Sequence, residues 1–188
     1  NEEAPLGARP LGVLVDAYIK ADRAAEAEAM LRAMIENDAQ NYDARLLLAQ
    51  TLFAQGKREE AEQAPPAALE INPERAAAAE TLYRIYMQAR RIDDAEAMIN
   101  ARIAAAPDVD AYKVLKGDFL LATGRNEEAI TVYEDILTRR PRDLLISNNY
   151  ASLLLELRDD PQSLSRALDI ARTPEGSDHG YLLDTLGW

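Results

Sequence analysis

The sequence predicts an all-α protein, a solenoid of antiparallel helix hairpins, and three observations carry that prediction. Pro73, Pro107 and Pro141 stand 34 residues apart, with Pro5 two periods before Pro73 and Ala39 in the slot between. Ala27, Ala61, Ala95 and Ala129 repeat the same step, and Gly56 and Gly124 lie two periods apart. Within each period the apolar residues follow helical spacing in two blocks, separated by a short polar turn such as Gln55-Gly56-Lys57-Arg58 or Thr123-Gly124-Arg125-Asn126. The composition suits such a stack, because hydrophobic residues make up 48% of the chain and aromatics only 6%, with alanine abundant. A core of that kind is made by helices that approach closely.

The elements follow in order. Residues 1–7 form a lead-in, and hairpins are predicted over 8–41, 42–75, 76–109, 110–143 and 144–178. Each proline falls where a second helix must stop, since its ring disfavours helical geometry in the preceding residue and it has no N–H to donate. Pro65 and Pro66 are different, because they fall inside the second helix of the second hairpin. An interior proline costs about 3 kcal/mol, and a kink or break is expected there. In the fifth hairpin, Asp159-Asp160-Pro161-Gln162 is expected to lengthen the turn and to move the alanine slot to Ala167. The hexapeptide from Thr173 to Asp178 closes that hairpin. Residues 179–188 read as the first helix of a truncated sixth, with Leu186 and Gly187 in its large and small slots.

The repeat resembles the tetratricopeptide repeat, a 34-residue unit of two antiparallel helices stacked into a right-handed superhelix. Its pattern of large, small and aromatic slots, then glycine, alanine, aromatic, alanine and proline, is filled over 110–143 by Lys116, Gly117, Leu120, Gly124, Ala129, Tyr133, Ile136 and Pro141. Over 42–75 the same slots hold Leu48, Ala49, Leu52, Gly56, Ala61, Pro65, Ala68 and Pro73, and over 76–109 they hold Leu82, Tyr83, Tyr86, Arg90, Ala95, Ile99, Arg102 and Pro107. The first hairpin keeps Leu14, Tyr18, Ala27 and Leu31 but lacks the glycine and the proline. The resemblance implies a non-enzymatic scaffold whose inner surface binds a protein segment.

Composition removes several alternatives. With 33 acidic and 21 basic residues the net charge is −12, and nucleic-acid binding draws on clustered lysine and arginine, so no nucleic-acid partner is expected. No apolar run approaches the roughly 18–20 residues that cross a bilayer, so no direct membrane insertion of this segment is expected, and Asn1 to Pro5 do not read as a signal peptide. The absence of cysteine removes disulfides and thiolate chemistry while leaving the compartment open.

Catalytic and cofactor readings find no carrier. The pairs Glu59-Glu60, Asp93-Asp94 and Glu127-Glu128 recur at the repeat period, where the first turn of a second helix favours negative charge by about 0.3–1 kcal/mol. A structural role accounts for their placement. His179, the one histidine, has no metal-ligand cluster in the sequence, and Ser177 and Asp178 beside it do not make a triad, whose members are defined by geometry. No phosphate-cradling glycine loop is present, and no cofactor is expected.

The candidate site is therefore a surface. At 100° per residue, the slots roughly a third of a turn from the hairpin-facing side of each first helix hold Ile19, Phe53, Met87, Leu121 and Leu155, an apolar stripe at the repeat period. Beside it stand Asp16, Gln50, Arg84, Asp118 and Ser152, and one turn earlier Leu46, Glu80, Val114 and Asn148. The stripe also fits the edge of ordinary hairpin packing, and the two readings agree if it is half buried. The family's carboxylate clamp uses lysines and asparagines at lining positions where this chain has Gly12, Asp16, Leu46 and Gln50, so binding of a chaperone's C-terminal carboxylate is disfavoured.

The expected function is a scaffold that takes a protein or peptide ligand against Ile19, Gln50, Phe53, Arg84, Met87, Asp118, Leu121, Asn148 and Leu155. The alternatives are an accessory region of a larger enzyme or export machine, and self-assembly. The truncated sixth hairpin, together with the missing initiating methionine, suggests a fragment whose apolar end, Leu186 and Trp188, pairs with another copy as a homodimer. Ser147-Asn148-Asn149-Tyr150-Ala151 and Asp184-Thr185-Leu186-Gly187-Trp188 are similar to closing repeats of long proteobacterial proteins of the family, linked to envelope assembly and export of exopolysaccharide or protein. That similarity implies a bacterial envelope setting, with the periplasm favoured and the cytoplasm possible.

Overall fold

The computed structural model describes residues 8–141, 143–157 and 160–171, and every regular element among them is an α-helix. The order is α1 (Ala8–Lys20), α2 (Ala24–Asn37), α3 (Tyr42–Ala54), α4 (Arg58–Ile71), α5 (Ala77–Gln88), α6 (Ile92–Ala105), α7 (Asp110–Ala122), α8 (Asn126–Arg139), α9 (Leu144–Leu157) and α10 (Pro161–Ala171). Odd-numbered helices are the first helices of the hairpins and even-numbered ones the second. None is long and apolar enough to cross a membrane. The chain divides into two compact units, Asn1–Val109 and Asp110–Trp188.

In the first unit, α2 packs on α1 and α3, α4 packs on α3 and α5, and α6 packs on α5. The first helix α3 also touches both α1 and α5. The core joins Val15, Ala27, Leu31, Ala44, Leu48, Leu52, Ala61 and Ile85. A buried tyrosine fastens the second hairpin to the third: the Tyr42 hydroxyl donates to the Arg75 carbonyl at 3.0 Å and accepts the Ala78 N–H at 3.2 Å. Without those bonds the hydroxyl would be an unsatisfied buried group, which costs about 1–3 kcal/mol.

In the second unit, α8 packs between α7 and α9, and α10 packs on α9. The core here is built on three fully buried tyrosines, Tyr112, Tyr133 and Tyr150, together with Phe119. The Tyr133 ring lies against Gly117, where an added Cβ would fall 2.8 Å from Tyr133 Cζ and closer still to Cε1. Glycine in the small slot of α7 and tyrosine in the facing slot of α8 are thus one packing solution. In the second hairpin the same two slots hold Ala49 and Pro65, both buried.

The alanines at the repeat step share one setting. Ala27, Ala61, Ala95 and Ala129 are each 0% exposed, in the first turn of a second helix. Three residues separate the two helices in each of the first four hairpins. The fifth turn, expected to be lengthened, includes residues 158 and 159, which lie outside the described residues. Pro161 opens α10, Asp160 accepts the Ser163 N–H at 2.9 Å, and Ala167 sits one helical turn deeper than Ala129 does in α8 while remaining buried. A shift of about one helical turn nearly keeps helical phase, so the same face stays inward.

The expected break at Pro65-Pro66 does not occur, because α4 is helical from Arg58 to Ile71. Pro65 is buried and Pro66 exposed, so tertiary contacts on both sides of α4 hold the helix through two missing ladder bonds.

The turns between paired helices share a backbone. Gly56 and Gly124 adopt φ of 76° and 74°, and at the same repeat position Asp22 and Arg90 adopt 59° and 57°. In each turn this left-handed residue donates its N–H three residues back, to the carbonyl of Ile19, Phe53, Met87 or Leu121, at 3.0–3.1 Å. The next residue donates five residues back, to Tyr18, Leu52, Tyr86 or Leu120, at 2.8–2.9 Å. This is the Schellman closure of a helix C-terminus. The residue making the second bond is basic in all four turns, Arg23, Lys57, Arg91 and Arg125, which complements the C-terminal dipole of the helix it closes.

Candidate functional site

Ile19, Phe53, Met87 and Leu121 are the residues whose carbonyls the turns engage. Their side chains are all half-buried, and Leu155 is 36% exposed. Ile19 and Phe53 lean on the core of the first unit, so each is both the margin of the packing and a surface.

In the first unit the candidate residues lie on α1, α3 and α5. Gln50 spans two of these helices, its amide donating to Thr81 Oγ1 at 3.4 Å. Arg84 is exposed one turn before Met87 and forms no ion pair among the described residues. Leu46 departs from expectation, since it is buried and does not line a surface. The cause is that α3 is covered on several sides, with Tyr42, Ala44, Leu46, Leu48, Ala49, Thr51 and Leu52 all buried.

In the second unit the face is formed by α7 and α9. An open pocket of about 420 Å³ lies between them, lined by Leu121, Gly124 and Asn126 on one side and Asn149, Ser152, Leu153 and Glu156 on the other. The Tyr133 hydroxyl is 3.4 Å from Asp118 Oδ1 and is also hydrogen-bonded to the Asn149 side chain. Burial pushes the Asp118 carboxyl above its ordinary range, partly offset by the bond from Tyr133, and burial with the nearby Asp118 charge pushes the Tyr133 phenol up as well. Asn148 is half-buried, and Ser152 likewise. The face thus combines apolar patches, amides, a hydroxyl and acids.

The acidic pairs occupy the first turns of α4, α6 and α8, as their register predicts. Asp94 and Glu128 are bound by the basic residues that precede those helices, Arg91 at 2.6 Å and Arg125 at 2.7 Å, and Glu60 by Arg32 at 2.8 Å. These pairs are exposed and add little to stability. Among the described residues no group of three or more histidines or carboxylates is placed to hold a metal. His179, Leu186 and Trp188 lie outside the described residues.

A second pocket, which the repeat pattern does not announce, opens beside α2, α3 and α4. Its volume is about 300 Å³, with Ile35, Leu48, Leu52 and Ala64 among its lining and Arg32, Arg45 and Glu36 at its rim. One sequence signal points to it, because Ala64 falls in a slot filled elsewhere by Met30, Met98 and Val132.

Comparisons agree with this architecture. A thermophilic tetratricopeptide repeat protein of Thermus thermophilus is similar over 82% of this chain and 84% of that one, at 22% identity and a TM-score of 0.62. MamA of Desulfovibrio magneticus is similar over 90% and 97%, at 13% identity and a TM-score of 0.58. At these identities the likeness is one of fold. No curated protein sequence matches the chain. Tetratricopeptide repeat families match residues 18–64, 81–143 and 120–177, well over half the sequence. The chain belongs to the tetratricopeptide repeat family, whose fold is that of a protein-interaction scaffold.

Proposed function

We propose that this protein is a non-enzymatic scaffold that captures segments of other proteins on its first-helix faces. The observation that carries this reading is the half-buried Ile19, Phe53, Met87 and Leu121 with the exposed Leu155 at the same repeat position, flanked by the polar groups of Gln50, Arg84, Asp118 and Asn148. Half-burial holds each apolar group rigidly while leaving surface to cover, so a ligand gains about 25 cal/mol per Å² of apolar area removed from water and meets little reorganisation cost. The polar neighbours then set register and direction. The resemblance of the last quarter of the chain to envelope and export proteins supports a place in a bacterial envelope assembly or export complex.

The test is selection of a random-peptide display library on the folded protein, followed by affinity measurements on variants. Enriched peptides are expected to lose about tenfold or more in affinity, about 1.4 kcal/mol, on Met87→Asp or Leu155→Asp. Ala97→Asp on α6 and Thr131→Asp on α8, both at exposed positions of second helices, serve as controls. Loss on the controls with full binding to the face variants would sink the proposal.

A further inference from the structure

The pocket between α7 and α9 allows a more specific statement, which rests on the scaffold reading above. We infer that it receives a basic side chain, lysine or arginine, carried on an extended segment of a partner protein. Its volume of about 420 Å³ suits one long side chain with its flanking backbone, near the lower end of the ~300–1,000 Å³ typical of ligand sites. Leu121, half-buried, and Leu153, buried, give an apolar wall for an aliphatic stem. Asn126, Asn149 and Ser152 supply donors and acceptors for a peptide backbone.

The lining itself carries charge of one sign. Glu156 is exposed and is the one charged residue of the lining. Asp118, one turn before Leu121, is tied to the lining through Tyr133 and Asn149, and burial already raises its affinity for a proton. The described cations of this unit are engaged elsewhere. Arg125 pairs with Glu128, Lys113 and Arg139 with Asp135, Arg140 with Asp143, and Arg166 with Glu134, while Lys116 lies over the Phe119 ring. A guest that brings its own cation would complete the site, and an acidic guest would be repelled. The first unit differs, since its equivalent face presents the cation Arg84 beside Met87.

The test compares two end-blocked synthetic peptides, one alternating leucine with lysine and one alternating leucine with glutamine, titrated into the isotopically labelled full chain and read by amide NMR. The lysine peptide is expected to shift Leu121, Asn149, Ser152 and Glu156, to bind about tenfold more tightly than the glutamine peptide, and to weaken as salt is raised. Glu156→Gln, at an exposed position, is expected to bring the lysine peptide's affinity down to that of the glutamine peptide while leaving the thermal melt unchanged. Equal affinities for the two peptides at these amides would overturn the basic preference and leave the scaffold reading intact. Silence of these amides towards both peptides would overturn the pocket as a docking site and count against the scaffold reading with it.

Discussion

At position 90 an arginine holds a left-handed backbone that the repeat elsewhere gives to glycine, with φ of 57° against 76° at Gly56 and 74° at Gly124. An L-residue in that region is strained by about 1–2 kcal/mol. Arg90→Gly removes the strain at some cost in unfolded-chain entropy, so chemical denaturation should show a gain of up to about 1 kcal/mol. Gly124→Ala should lose about 1 kcal/mol by the same reasoning, and a loss on Arg90→Gly would contradict it. Gly117 tests a different constraint. Gly117→Ala drives a methyl into the buried Tyr133 ring and should destabilise the fold by about 1–3 kcal/mol, more than an alanine at the open, helical Gly12. Asp118 gives a pH signature. Its carboxyl is raised by burial, so the folded state holds that proton more tightly than the unfolded chain does. The resulting stabilisation is fully present below the unfolded pKa and is lost as pH rises through the folded value. Thermal melts should therefore show Asp118→Asn gaining on wild type as pH rises from the ordinary carboxylate range, and a gap constant with pH would refute this. The left-handed turns were legible in the sequence at Gly56 and Gly124. At Asp22 and Arg90 the identity of the residue hid the conformation that the repeat position requires.

Among the helices, α4 carries the clearest conflict between local preference and fold. Two adjacent prolines remove two ladder bonds, yet the helix is continuous because α3 and α5 hold it. Pro66 is exposed and contributes little packing, so Pro66→Ala should stabilise the protein, by about 1–3 kcal/mol in denaturant titrations. Pro65 is buried in the slot that Tyr133 fills in α8, so Pro65→Ala exchanges restored helix bonding for lost contact and should gain less. Equal gains at the two positions would mean that the Pro65 ring does not pack. The hairpins themselves were legible because full burial in the first turn of a second helix demands alanine and the end of a second helix admits proline, and both demands recur with the period. In the fifth hairpin the position of Ala167 was harder to read, because extra residues can lengthen a loop or add a helical turn with equal economy of sequence. Tertiary packing of Ala167 decides between them. Leu46 was misplaced for a related reason: a wheel shows which residues share a side, and α3 is covered on more sides than one hairpin supplies.

Over the whole molecule, the period made the family legible, while the site was legible in part. The proposed stripe follows the repeat, and the half-burial of Ile19, Phe53, Met87 and Leu121 is compatible with both the packing and the surface reading. The pockets could not be read, since each joins residues of separate helices whose spacing depends on side-chain volume, such as Ala64 where other hairpins carry methionine or valine. The proposed function places binding on the surfaces of the first helices. The most direct measurement is a crystal structure of the chain with the tightest peptide from the display selection. The scaffold account predicts that the peptide backbone lies along the first helices, with side chains against Phe53 and Met87 or against Leu121 and Leu155. A peptide seated on the second helices, with those four residues untouched, would contradict it.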